Sequence, residues 1–131
     1  MGRKRHIVVD SQGFILRALV HEANIEDRDG GLRLVKLLGQ FDRLSHMWAD
    51  RAYNGEITRW LASHHISLEL SRPVQQPDGK RTYPRRWVVE RTFAWLLRYR
   101  RMRADYEFLM SVSAAFIYVA SINLLLHRLA P

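Results

Sequence analysis

Two kinds of hydrophobic spacing succeed one another along the chain. Ile7-Val8-Val9 and the run from Phe14 to Val20 are short and apolar, and Asp10-Ser11-Gln12-Gly13 between them has strong turn chemistry. Residues 5–21 therefore predict a β-hairpin. After Glu26-Asp27-Arg28-Asp29-Gly30-Gly31, which reads as an acidic turn, Leu32, Leu34, Val35, Leu37 and Leu38 take up a helical pattern, with Asp27 or Asp29 placed to cap it. A short apolar strand then ends at Asp50. A helix follows over about residues 55–65, with Asn54 as its cap, and Ile66 to Leu70 form a fourth strand candidate. Residues 71–81 contain Pro73, Pro77, Asp78 and Gly79 and predict a loop.

The most informative stretch is residues 83–103. Wound at about 100° per residue, it places Val88, Thr92, Trp95, Leu96 and Tyr99 on one side, the expected core face. Glu90 lies roughly opposite, with Arg86 one turn before it and Arg101 three turns after. Pro84 sits just ahead, where its missing N–H costs little. Asp105-Tyr106-Glu107 marks a break. A last helix, about 111–129, is apolar on most sides and should pack against a sheet or a partner. This order predicts a mixed α/β domain with no interior boundary.

Composition narrows the class of partner. At 131 residues and 47% hydrophobic content the chain can bury one core. Twenty-one basic against 13 acidic residues give a formal charge of +8, which suits an anionic polymer. Arginine far outnumbers lysine, which favours forked phosphate contacts. Cysteine is absent, so thiolate metal sites and disulfides are excluded and a cytoplasmic setting is expected. No apolar run follows the basic start as a signal peptide requires. The longest apolar run, 114–126, is broken by Ser121 and Asn123 and reads as a buried helix too short to span a bilayer, so no membrane is expected.

Few residues carry candidate chemistry. Asp50 ends a strand, where acids of an α/β sheet point into the ligand crevice, although a cap or turn role also suits it. Glu90 stands alone among arginines. It either offsets them through i, i+4 pairing or holds a divalent cation against phosphate. Arg3, Lys4 and Arg5 form either a phosphate-contacting patch or a solvated terminus. His64-His65 are adjacent on a helix, so they suit a helix C-terminus better than a shared metal. The acids at 26, 27 and 29 lack calcium-loop spacing, and Gly79-Lys80 lacks the rest of a nucleotide loop.

Three stretches together resemble bacterial insertion-sequence transposases of the DDE class, in the group spanning families four and five. They are Gly2-Arg3-Lys4-Arg5-His6-Ile7-Val8-Val9-Asp10, then Trp48-Ala49-Asp50-Arg51-Ala52-Tyr53, then Arg85-Arg86-Trp87-Val88-Val89-Glu90-Arg91-Thr92-Phe93-Ala94-Trp95. Tyr83, Arg86 and Glu90 match the spacing of the family's third motif. The resemblance implies an RNase H-like catalytic fold, a mixed sheet flanked by helices, holding two magnesium or manganese ions between three carboxylates. Asp50 would be the second acid and Glu90 the third, with Tyr83 and Arg86 positioning DNA. The implied activity is DNA cleavage and strand transfer on transposon ends and target DNA.

Two departures follow from the same resemblance. The basic residue expected after Glu90 falls at Leu97, so Arg98 or Arg101 would have to replace it. The family's first aspartate lies on a strand upstream of the Gly-Arg-Lys-Arg-His segment, where this chain begins. The expectation is therefore a partial catalytic domain over residues 1–131, lacking the first strand and acid and with little activity alone. A separate N-terminal piece would complete it, and a homodimer is expected by analogy. Asp10 ends a strand and is the alternative first acid, but the resemblance places it in a hairpin turn. The competing reading is a non-catalytic basic DNA-binding remnant, whose grip would weaken steeply with salt.

Overall fold

A computed structural model describes residues 2–39 and 41–130. In chain order the elements are β1 (Arg3–Val9), β2 (Ile15–Glu22), α1 (Asp27–Val35), β3 (His46–Ala49), α2 (Glu56–Ser63) and β4 (Ser67–Leu70). They continue with β5 (Val74–Gln75), β6 (Arg81–Thr82), α3 (Arg86–Leu96) and α4 (Met110–Leu129). Single 3-10 turns occupy Lys36–Leu38, Arg51–Tyr53 and Arg100–Met102. Among the described residues the strands pair two by two: β1 with β2 and β5 with β6 antiparallel, β3 with β4 parallel. The chain divides into two compact units, residues 1–25 with 88–131, and residues 26–87.

The first unit is built on the hairpin. Asp10 closes its turn: one carboxylate oxygen accepts the N–H groups of Gln12 at 2.9 Å and Phe14 at 3.0 Å. Gly13 adopts φ +91°, a conformation that favours glycine, so the predicted turn residues do what their chemistry suggests. Ala18 and Val20 of β2 are buried with Leu96, Met102, Ile117 and Ala120 in one core. Tyr118 of α4 locks onto β2 through its hydroxyl, which accepts from Ala18 N–H at 2.8 Å and donates to Ala18 C=O at 3.3 Å.

Asp105 ties the chain before α4 back to β1. Its carboxylate meets Arg3 at 3.0 Å and accepts from Ser113 Oγ at 3.2 Å and from Glu107 N–H at 3.1 Å. Burial opposes the charged form, but these hydrogen bonds and Arg3 outweigh it and hold the carboxyl below its ordinary 3.8. A depressed carboxyl pKa stabilises the fold above the unfolded value, and that share is lost as pH falls through the folded one. Asp105→Asn should therefore flatten the decline of urea midpoints below about pH 4, while lowering the midpoint at neutral pH. Equal acid sensitivity in both proteins would contradict this.

In the second unit, α2 carries the chain from β3 to the parallel β4, with His46 opposite Ser67 and Ala49 opposite Leu70. Helix α1 packs on α2, and Leu34, Val35, Leu38, Ile57, Leu61 and Ile66 are buried.

Several sequence expectations need correction. Helix α1 begins at Asp27, so Gly30 and Gly31 lie inside it rather than in a preceding turn, and its N-cap is Glu26, which makes no side-chain cap bond. Neither Asp27 nor Asp29 is the cap. The cap position of α2 is Gly55, and Asn54 instead accepts Gly55 N–H at 2.8 Å. Residues 71–81 are not all loop, because Pro77-Asp78-Gly79 turns the chain so that β5 and β6 pair. The helical pattern at 83–103 breaks after Leu96. Tyr99 becomes extended, its hydroxyl donates to Asn123 Oδ1 at 2.7 Å, and Met102 is buried in the core.

Helix α4 is also not the buried helix expected. Only Ser113, Ile117, Ala120 and Ser121 are buried along it, and Val112, Val119, Ile122, Leu126 and Leu129 are exposed. At 20 residues it is long and apolar enough to cross a bilayer, a property it shares with core helices of soluble proteins.

Candidate active site

Asp50 stands where β3 ends, beside the carboxyl end of the parallel β4. Its backbone is extended and its carbonyl accepts Tyr53 N–H at 3.0 Å, starting the 3-10 turn, while its exposed carboxylate makes no cap bond. The capping alternative for this side chain is not what the fold uses. Tyr53 fixes the turn that follows. Its ring lies against Gly31, where a Cβ would come within 2.4 Å of Tyr53 Cδ1 and 2.9 Å of Ile57 Cδ1. Burial first, then the negative charges of Asp27 and Asp50, push the Tyr53 phenol up to about 12. Sequence reasoning missed this support, and its signal was a Gly-Gly pair set within a helical pattern.

A second support lies across the β3–β4 pair. Trp48 and Glu69 are register partners, and the indole Nε1–H donates to Glu69 Oε2 at 3.1 Å. His46 Nε2 lies 3.4 Å from the same oxygen, within ion-pair reach but without hydrogen-bond geometry. The Arg85 guanidinium sits 3.8 Å above the Trp48 ring, a cation–π contact. Arg85 has φ +68°, unusual for a residue with a side chain, and it immediately precedes α3. A strained residue is thus held where the motif Tyr83, Arg86, Glu90 begins. The alternation His46, Trp48 opposite Glu69 was the signal for this cluster.

Helix α3 starts at Arg86, so Arg86 and Glu90 lie one turn apart on it, and Glu90 is exposed. The Arg86 guanidinium lies 5.5 Å from the exposed Tyr83 ring. The residues after Glu90 dock the helix on the hairpin turn. Arg91 donates to Gln12 C=O at 2.6 Å, and the buried Thr92 hydroxyl donates to Gly13 C=O at 2.5 Å. Val88, Thr92, Trp95, Leu96 and Tyr99 are all at least partly buried, as the periodicity predicted, and Phe93 joins them.

The remaining basic candidates are less free than the sequence suggested. Arg3, Lys4 and Arg5 are part of β1 rather than a solvated terminus. Arg3 donates to Phe108 C=O at 2.7 Å, Lys4 Nζ to Ile25 C=O at 2.9 Å and Arg5 to Met102 C=O at 2.7 Å. Arg98 and Arg101 lie beyond the end of α3. Arg98 is exposed, whereas Arg101 pairs with Glu107 and lies 4.8 Å from the Phe116 ring. His64 closes α2 with its Nδ1 2.8 Å from Trp60 C=O, the helix-end role expected of it.

The sequence profile of the transposase DDE domain matches residues 1–125. This chain belongs to the DDE transposase family. It is also 33% identical over 126 residues to a protein of Burkholderia cepacia named as a transposase for insertion sequence element IS402. That match covers 88% of this chain and 59% of the relative, so the chain spans little more than half of that protein's length. No solved structure matches. Among the described residues of this DDE transposase chain, no group of three or more His, Asp or Glu side chains is placed to hold a metal ion. Asp50 belongs to the unit of residues 26–87 and Glu90 to the unit containing residues 88–131. Asp10, the alternative first acid, spends its carboxylate on the hairpin turn.

Proposed function

We propose that this chain is the C-terminal part of an RNase H-like transposase catalytic domain, serving DNA cleavage and strand transfer of an insertion sequence in the cytoplasm. The observation that carries the reading is Asp50, an exposed carboxylate at the end of a parallel strand that its own helix cap does not use. Asp50 and Glu90 are oxygen donors of the class that magnesium and manganese prefer, so the donor type fits. Asp50 and Glu90 would hold the divalent ions, whose chemistry when bound is to activate the attacking oxygen and stabilise the leaving one. Tyr83 and Arg86 would seat the phosphate of the cut strand, the planar guanidinium supplying a forked pair of donors. Arg98 would extend that contact along the backbone, with Arg3, Lys4, Arg5 and Arg101 adding positive field.

Two carboxylates hold divalent ions weakly, and a third acid from a separate N-terminal segment is the proposed complement. β3 and β4 each have one paired neighbour among the described strands, which suits the addition of a strand. The test is a magnesium- or manganese-dependent nicking assay on transposon-end DNA, with the chain alone and with such a segment carrying a strand aspartate. Nicking only in the mixture is expected. Nicking by the chain alone, lost in Asp10→Asn, would overturn the assignment of the first acid. The second reading, a non-catalytic DNA-binding remnant, rests on the charge of +8. It predicts binding that falls steeply with salt and no nicking in either arm.

A further inference from the structure

Core packing does not account for the β5–β6 ribbon. Val74, Gln75, Arg81 and Thr82 are all exposed, so neither face of the ribbon covers a core. An isolated pair of strands is marginal in water, and this one is held by its own turn. Gly79 takes φ +82° and donates its N–H to Gln76 C=O at 2.9 Å, while Gln76 N–H donates to Lys80 C=O at 2.8 Å. Asp78 Oδ1 accepts Lys80 N–H at 3.0 Å, and Gln76 Nε2 donates across the strands to Thr82 Oγ1 at 2.9 Å.

Register gives the ribbon two unlike faces. Gln75 and Arg81 are direct partners and project from one of them. Val74 and Thr82 are partners on the other, where Gln76 bonds to Thr82. Among the described residues none makes a side-chain hydrogen bond or ion pair with Gln75 or Arg81. Other basic side chains are engaged: Arg3, Lys4 and Arg5 on backbone carbonyls, Lys80 with Asp78 at 3.6 Å and Arg85 on the Trp48 ring. Residues 72–86 set Arg72, Lys80, Arg81, Arg85 and Arg86 against Asp78 alone, a balance that suits an anionic polymer. Phosphate would need only the charge. A glutamine paired with an arginine offers more, because these side chains bond in pairs to the edges of adenine and guanine. The major groove, about 12 Å wide, admits a two-stranded ribbon.

We propose that the β5–β6 ribbon enters the major groove of duplex DNA with its Gln75–Arg81 face towards the bases, Arg81 reading a guanine and Gln75 a neighbouring adenine. The inference rests on the reading of this chain as acting on DNA, and adds the residues that choose the sequence. The Arg81 fork donates to guanine O6 and N7. The Gln75 amide donates to adenine N7 and accepts from adenine N6. β6 ends at Thr82, directly before Tyr83, so the reading face adjoins in the chain the residues proposed to seat the phosphate.

The experiment selects bound duplexes from a pool of randomised DNA, using the full chain, Gln75→Ala and Arg81→Lys. The parent should enrich duplexes carrying guanine and adenine at neighbouring positions. Arg81→Lys should lose the guanine preference by ~10-fold or more while keeping the parent's dependence of affinity on salt, since the charge stays and only the fork goes. Gln75→Ala should lose the adenine preference alone. Both side chains are exposed, so the far-UV signal of each variant should match the parent's. A parent that binds duplexes without base preference, or a preference unchanged in either variant, would overturn the proposal. So would a parent that binds no duplex. The transposase reading is decided separately, by nicking in the completed mixture.

Discussion

Glu90→Gln is expected to lower metal-dependent nicking by the completed assembly by at least ~10^3-fold, with little change in DNA affinity or stability. The amide keeps the shape of the side chain and removes the charge that a divalent cation requires. Glu90 is exposed, and the bonds that dock α3 on the hairpin come from Arg91 and Thr92, so the helix should stay in place. Asp50→Asn should behave alike, and the double substitution should be no worse than either single one, as for groups that act as a unit. The measurement is single-turnover cleavage of end DNA over a titration of manganese. Parent-like rates in Glu90→Gln would remove this residue from the metal site and return it to the role of a charge among arginines.

Gly31→Val should destabilise the unit of residues 26–87 by about 3 kcal/mol, and Gly31→Ala by about 1–2 kcal/mol. Two effects compete at this position. Alanine is favoured over glycine inside a helix by about 1 kcal/mol, which alone would make Gly31→Ala stabilising. Against that, the new Cβ would lie 2.4 and 2.8 Å from two carbons of the Tyr53 ring and 2.9 Å from Ile57 Cδ1. The Tyr53 ring lies partly buried against α1, and its Cδ1 and Cε1 are not the free end of a flexible chain, so the clash should win. Branching at Cβ in valine makes it worse. Urea unfolding followed by tryptophan emission reports the unit through Trp48, Trp60 and Trp87, with Trp95 reporting the other unit. Tyr53→Ala in the same chain should relieve the penalty of Gly31→Ala, isolating the contact in a double-mutant cycle. A more stable Gly31→Ala would show that Tyr53 moves aside. Nicking should fall with stability in these variants, because Tyr53 closes the turn that begins at Asp50.

Local chemistry was legible in the sequence wherever neighbours along the chain decide the outcome. The Asp10-Ser11-Gln12-Gly13 turn needs only a short acceptor side chain and a glycine free to take positive φ, and both act within four residues. The core face of α3 follows from helical periodicity, because Thr92 and Leu96, one turn apart, fall on the same side of the helix and are both buried. The acids Asp50 and Glu90 were picked out by strand position, by spacing and by likeness to DDE transposases, and the family profile agrees with that likeness.

What the sequence left open depended on contacts between residues far apart in the chain. Periodicity would have continued α3 to Arg103, but Tyr99 and Met102 gain more by reaching Asn123 and the hairpin core than by extending the helix. Arg3, Lys4 and Arg5 looked like solvent or phosphate contacts until the fold supplied backbone carbonyls for each. Gly31 reads as a helix breaker, and only the Tyr53 ring against it explains its place. An apolar helix likewise looks buried from composition alone. Tertiary structure decided that α4 spends one face on the hairpin and leaves the other in water, because a single two-stranded sheet can cover only one side of a helix.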